Sequence, residues 1–222
     1  MSHGTFLPAS DAGLQQELER LGTRVHFPVD HVLFVEEQPV HSVLIVESGY
    51  VAVSHTTKDG SEVVLAFRGP GEPLGLAGAL TSGVQGVKAR AVSPVTVLDV
   101  PSEGIANFIA DHGLMPDVLR FFTTRLREAD AERSRLARLT VMERFAYFLV
   151  GLAAEVGKEV EGHTVIDLPL SQADLAARIG ASREATVKTL SFLRKEGVVT
   201  TSRRKLVVLD LERLREMAAR EL

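Results

Sequence analysis

Residues 170–209 read LSQADLAARIGASREATVKTLSFLRKEGVVTTSRRKLVVL, and this stretch decides the fold. Ser171 precedes an apolar face of Leu175, Ala176 and Ile179, and Asp174 follows it by three residues. That is the capping-box spacing, in which each residue satisfies the other's backbone N–H. Gly180 breaks the helical pattern, because glycine accepts the backbone angles of a sharp inter-helix turn. Ser182 is placed to cap a second helix, and Val187, Leu190 and Leu193 predict its buried side. Gly197 stands where a C′ glycine stops a helix, and the run to Leu209 reads as a strand hairpin. Two short helices around a tight turn, followed by a hairpin, make a winged helix-turn-helix, a unit whose partner is duplex DNA.

The charge pattern agrees. Between Arg178 and Lys205 there are eight basic side chains (Arg178, Arg183, Lys188, Arg194, Lys195, Arg203, Arg204, Lys205) against Glu184 and Glu196, within a chain of net charge −4. A concentrated basic face is what phosphate contact needs, whatever the overall charge. The other meaning of such a run is a solvated helical face beside a charged hairpin. The coincidence of turn, caps and charge favours the DNA-facing one.

The whole chain sets the frame. Its 222 residues suit one large domain or two small ones, and 45% hydrophobic content suffices for a core. It has no cysteine, which excludes disulfides, thiolate metal sites, cysteine-ligated clusters and a cysteine nucleophile. The opening MSHGTFLPAS lacks the basic start and apolar centre of a signal peptide. No apolar run approaches the ~18 residues needed to span a membrane. The expectation is a cytoplasmic protein with no membrane partner. Residues 1–110 hold 6 basic and 12 acidic side chains and residues 111–222 hold 19 and 17, which suggests an acidic sensing half and a DNA-facing half.

From Arg24 to about Pro101, short runs such as VLFVEEQP, SVLIVESGYVAVSHTT and ARAVSPVTVLDVP are punctuated by turns. Alternation over Tyr50–Val53 and Glu62–Phe67, with Asp59-Gly60 as a hairpin signal, predicts a sandwich or barrel-like roll. Asp11–Leu21 reads as a short helix. Leu114–Leu139 reads as a long one, with Leu119, Phe122, Leu126, Ala129, Arg133 and Leu136 in a 3-4-3-4-3 seam. The seam fits a dimer or a helix packed on its own domain. The dimer is favoured because helix-turn-helix proteins bind two-fold operators. Arg133 weakens the seam unless it reaches water or a carboxylate. Thr140 and Glu143 form a second capping box ahead of a helix over Val141–Val156, with Phe145, Phe148, Leu149 and Leu152 on one side. Thr140 is therefore a candidate hinge. Gly157–Gly162 reads as a polar loop, and Asp210 caps a last helix. The expected division is 1–113 for a β-roll sensor, 114–139 for a dimerisation helix and 140–222 for the DNA-binding domain, an α+β fold.

A β-roll, a long helix and a winged helix-turn-helix, in that order, resemble the Crp/Fnr family of bacterial transcription regulators. The resemblance runs from about Val25 to Met217. It is carried by SVLIVESGYVAVSHTTKDGSEVVLAFRGPGEPLG, LTVMERFAYFLVGLA and GASREATVKTLSFLRKEGVV. It implies a homodimer acting on a palindromic operator and working with RNA polymerase. The family's recognition-helix pattern is matched by Ser182, Arg183 and Glu184, and Lys188 falls where many members have Arg. Arg183 can donate two hydrogen bonds to guanine O6 and N7, Glu184 can accept from cytosine N4, and Lys188 can reach guanine. Ser182, Arg203, Arg204 and Lys205 suit phosphates. Arg194 and Lys195 suit solvent.

The sensor pocket departs from the resemblance. Members that bind cyclic AMP have F-G-E at a glycine-rich turn and R-S further on. The Glu takes the ribose hydroxyl and the Arg takes the phosphate. Here the turn reads Leu74-Gly75-Leu76, with Leu76 at the Glu position and Ala77 next. The Arg and Ser positions fall near Gln85 and Gly86, and the nucleobase positions of the long helix near Ala129 and Asp130. Lys88 and Arg90 are the nearby cations. Losing two charge-assisted contacts forfeits roughly 1.5–3 kcal/mol each. Cyclic AMP is therefore not the expected ligand. Two alternatives stay open, another small-molecule effector for an apolar pocket, or a collapsed pocket with none. A cyclic-AMP-responsive regulator with a variant pocket is the remaining reading of the same family.

Other classes find less support. A haem sensor needs axial ligands, and His3, His26, His31, His41, His55, His112 and His163 form no ligand-spaced pair. No metal is expected. A cupin-like enzyme on the roll needs a clustered metal set or a nucleophile–base pair, and no HExxH, P-loop, G-x-S-x-G or dinucleotide fingerprint is present. The expectation is no enzyme activity. A nucleotide-binding adaptor without DNA binding conflicts with the intact Arg183, Glu184 and Lys188 pattern. In the expected mechanism an effector, if there is one, shifts a hinge near Thr140 that aligns two recognition helices.

Overall fold

A computed structural model describes residues 12–58, 60–81, 83–202 and 205–218. In chain order the elements are α1 (Ala12–Leu21), β1 (Thr23–Phe27), β2 (Val32–Phe34), β3 (Ser42–Ser48), β4 (Val51–Thr56), β5 (Glu62–Arg68), β6 (Pro73–Leu74), α2 (Leu76–Thr81), β7 (Lys88–Ala91), β8 (Val95–Pro101), α3 (Ser102–Asp111), α4 (Met115–Arg138), α5 (Val141–Val156), β9 (Gly157–Val160), β10 (His163–Ile166), α6 (Gln172–Ile179), α7 (Arg183–Lys195), β11 (Val199–Ser202), β12 (Lys205–Val208) and α8 (Leu211–Ala218). The chain divides into two compact units, one ending at Glu128 and the other beginning at Ala129, with α4 running through the division.

The first unit is a roll of two antiparallel sheets, ordered β1-β8-β3-β6 and β2-β7-β4-β5. The run Val43–Val46 is apolar at every position because its sheet is covered on both faces. Leu44 and Val46 turn toward Phe34, Val51, Val53, Ala89 and Ala91 in the space between the sheets. Val43 and Ile45 turn the other way, onto Leu18, Leu76, Ile105, Phe108, Ile109 and Val118 of the helices and Leu114 of the α3–α4 turn. The short helix α2 and α3, which sequence patterning does not separate from the strands, supply that second layer. β4 differs from the alternating pattern expected over Tyr50–Val53, since Val51 to Ser54 are all buried. Asp59 of the expected hairpin turn lies outside the described residues, and β4 and β5 pair around it from Val51↔Arg68 to Thr56↔Glu62.

In the second unit α5 packs against α6, α7 and α8, with Phe145, Leu149, Leu152, Ile179, Leu193 and Leu214 in the core. Phe148 is only half-buried. The capping box of Thr140 and Glu143 forms with both reciprocal bonds. Asp210 accepts from the Arg213 N–H at 2.9 Å, which starts α8. The expected polar loop over Gly157–Gly162 is instead a hairpin. β9 pairs β10 from His163↔Val160 to Ile166↔Gly157, extending the sheet to β11-β12-β10-β9. Its two turn residues, Glu161 and Gly162, have φ of 52° and 78°. Two positive φ values make the tight hairpin turn that matches strand twist.

Candidate nucleic-acid interface

The helix-turn-helix forms from local signals. Ser171 and Asp174 complete their capping box, and the Asp174 carboxylate also accepts from the Ser171 hydroxyl at 2.7 Å. Gly180 takes the left-handed conformation at φ 60° and closes α6. A Cβ there would meet only the tip of the exposed Leu136, at 3.0 Å, so it is the left-handed backbone angle that selects glycine. Ser182 accepts from the Ala185 N–H at 3.1 Å and caps α7.

The inner and outer faces of α7 are then fixed by helical spacing. Thr186, Thr189, Leu190 and Leu193 are buried. The expected core residue Val187 is not among them, being 36% exposed. Thr186 takes its place at 0%, with its hydroxyl donating to the Ser182 carbonyl at 3.0 Å. A threonine that satisfies its own hydroxyl packs as an apolar residue, so the buried stripe lies one residue earlier than Val187. Arg183, Glu184, Val187 and Lys188 share the exposed side. Glu184 and Lys188 pair at 2.8 Å with both side chains about three-quarters exposed.

Beside α7 the wing places Thr201 under the Arg194 guanidinium, which donates to its hydroxyl. Lys205 is exposed and pairs with Asp167 at 2.7 Å. Arg203 and Arg204 lie outside the described residues.

The helix-turn-helix is tied to its supports by arginines. Arg144 of α5 donates to the carbonyls of Leu139 (2.7 Å), Ile179 (2.8 Å) and Gly180 (3.2 Å). It thereby satisfies orphan carbonyls at two helix ends. Arg178 of α6 pairs with Glu132 of α4 at 2.6 Å, and Arg135 pairs with the same carboxylate at 2.7 Å. Burial pushes Glu132 up, but its hydrogen bonds and charge pairing with Arg178 and Arg135 outweigh it and hold the carboxyl below its ordinary range. Sequence reading does not find Arg144. Its one signal is a cation in the first turn of a helix, where the dipole is unfavourable.

The exposed surface of α4 carries Leu119 (60% exposed), Leu126 (63%) and Leu136 (43%). Ala129 is exposed with them. Phe122, expected on the same seam, is half-buried against the core of the first unit. Arg133 stays exposed and meets a carboxylate, Asp130, at 3.3 Å.

In the first unit, three of the residues expected at a ligand pocket, Leu74, Leu76 and Gln85, are spent on packing. Leu74 is 4% exposed between the sheets and Leu76 is 2% exposed under the helices. Gln85 is 6% exposed, and its amide presses on Gly75, where a Cβ would come within 3.0 Å. Ala77 and Gly86 are exposed, and so is Asp130, which belongs to the second unit. The two nearby cations are occupied, Lys88 by Glu62 and Arg90 by Asp30 at 2.9 Å. The unit also holds a buried charge cluster that sequence patterning does not indicate. Glu72 is 1% exposed and accepts from Arg68 (3.3 Å), Arg125 and the Gly69 N–H (2.7 Å). Burial, together with the Arg125 charge, pulls the Arg68 guanidinium below its ordinary value, against the pull of Glu72. Among the described residues no group of three His, Asp or Glu side chains is arranged to hold a metal ion. No described helix is long and apolar enough to cross a membrane.

Comparison with known proteins agrees with both units. Residues 24–112 match the cyclic nucleotide-binding domain and residues 143–217 match the Crp-like helix-turn-helix domain. The chain is 27% identical over 212 residues to the CRP-like cAMP-activated global transcriptional regulator of Mycobacterium tuberculosis, covering 95% of this chain and 93% of that one. Its structure is similar to that of FixK2 from Bradyrhizobium japonicum, with TM-score 0.78, 25% identity and coverage of 90% and 99%. It is also similar to the c-di-GMP responsive global regulator CLP of Xanthomonas campestris, with TM-score 0.73, 26% identity and coverage of 89% and 99%. With a cyclic nucleotide-binding roll, a long helix and a Crp-like helix-turn-helix in one chain, the protein belongs to the Crp/Fnr family of transcription regulators.

Proposed function

We propose that two copies of this chain pair through the exposed stripe of α4 and set two α7 helices into successive major grooves of a two-fold operator. The observation that carries this reading is the outer face of α7, where Arg183, Glu184 and Lys188 stand exposed together. Arg183 and Lys188 read guanine and Glu184 reads cytosine. Ser182, Lys205, Arg203 and Arg204 hold phosphates and set the register. Leu119, Leu126, Ala129 and Leu136, with the edge of Phe122, form the dimer contact. Bound on DNA, the dimer acts on RNA polymerase, and its place of work is the cytoplasm. It carries out no catalysis.

Cyclic AMP is not its effector. Leu76 and Gln85 stand where cyclic-AMP-binding members present a carboxylate and a guanidinium, and both are packed into their own unit. Relatives differ in what their names say they answer to, cAMP for one and c-di-GMP for another. This chain answers to a different small molecule or to none. The test of the DNA reading is selection of bound duplexes from a random pool. A two-fold site with half-sites about 10 base pairs apart supports it. Recovery of no common sequence overturns it.

A further inference from the structure

We propose that Val187 is a specificity-determining residue that reads the methyl group of a thymine in each half-site, an inference that rests on α7 being the DNA-reading helix. Val187 follows Arg183 by four residues and Glu184 by three, so it lies one turn along the same face, next to Lys188. It is 36% exposed on the outer side of α7, whereas Thr186 beside it is fully buried and faces the core. It sets an apolar group within a face of cations, carboxylate and hydroxyl. The major-groove edge of DNA offers one apolar feature, the C5 methyl of thymine. Valine suits that contact, because in a helix its branched side chain has one dominant rotamer and little freedom to lose.

The experiment uses the full-length protein and the selected operator, with each thymine replaced singly by deoxyuridine, which removes only the methyl. Wild type loses about fourfold in affinity per half-site at one symmetric position, the worth of one buried methyl-sized group. Val187→Ala loses a similar factor on the unmodified operator and is indifferent to deoxyuridine at that position. Equal sensitivity of wild type and Val187→Ala to every replacement overturns the assignment. So does a lowered melting temperature in Val187→Ala, which would make Val187 a packing residue. If neither protein prefers the operator to scrambled DNA, the DNA reading itself fails and this inference falls with it.

Discussion

Glu184 and Lys188 form a 2.8 Å ion pair across one turn of α7, on its exposed side. Two groups assigned to base reading thus neutralise each other in the free protein. An exposed i,i+4 pair contributes only about 0.3–0.5 kcal/mol, so DNA can separate it at small cost. Glu184→Ala and Lys188→Ala should each leave unfolding free energy within about 0.5 kcal/mol of wild type. Each should still lower discrimination between operator and single-base variants by roughly 1–3 kcal/mol. Chemical denaturation and competition binding measure the two quantities separately.

Arg183 is exposed at the first turn of the same helix. Arg183→Ala should weaken operator binding far more than binding to random DNA, by about 1–3 kcal/mol of specificity. Equal losses on both DNAs would make Arg183 a phosphate contact instead.

Leu126 is 63% exposed on α4. Leu126→Asp should therefore leave the monomer folded while breaking the dimer, read as a halved mass by analytical ultracentrifugation with an unchanged circular dichroism spectrum. A dimer that persists would place the interface elsewhere.

Glu72 lies buried beneath Arg68 and Arg125. Removing one member of such a cluster leaves the others uncompensated. Glu72→Gln should destabilise the first unit by roughly 3–5 kcal/mol, seen in urea unfolding. A change below about 1 kcal/mol would show that water reaches the cluster.

Glu132 bridges Arg178 and Arg135, and its carboxyl is held below the ordinary range. A carboxyl depressed in the folded state adds stability that is complete above its unfolded value, about 4.3. That stability is lost as pH falls through the lower folded value. The difference in unfolding free energy between wild type and Glu132→Gln should be constant above about pH 5.5 and shrink below about pH 4. A difference independent of pH from 3 to 7 would contradict the pairing.

Local chemistry made much of this fold legible. The boxes of Thr140 with Glu143 and Ser171 with Asp174, and the left-handed Gly180, are specified within a few residues, and the structure forms each of them. Burial was less legible. Spacing over Val187, Leu190 and Leu193 fits a helix face as well as Thr186, Leu190 and Leu193 does, and threonine hides its apolar side behind a hydroxyl. The β9–β10 hairpin is not legible in the sequence because Lys158, Glu159 and Val160 are all exposed, so no apolar alternation marks the strand. At the sensor, Leu74 and Leu76 read as apolar whether they line a cavity or fill a core. Only the packing of the two sheets and the helices distinguishes those cases.

The most direct test of the account is the affinity of the purified protein for the DNA upstream of its own gene, against scrambled DNA, with and without cyclic AMP at one fixed near-physiological salt concentration. The expected result is a preference for the specific fragment that cyclic AMP does not change. Specific binding that arises only with the nucleotide would contradict it, and would place Leu76 and Gln85 in a working cyclic-AMP pocket.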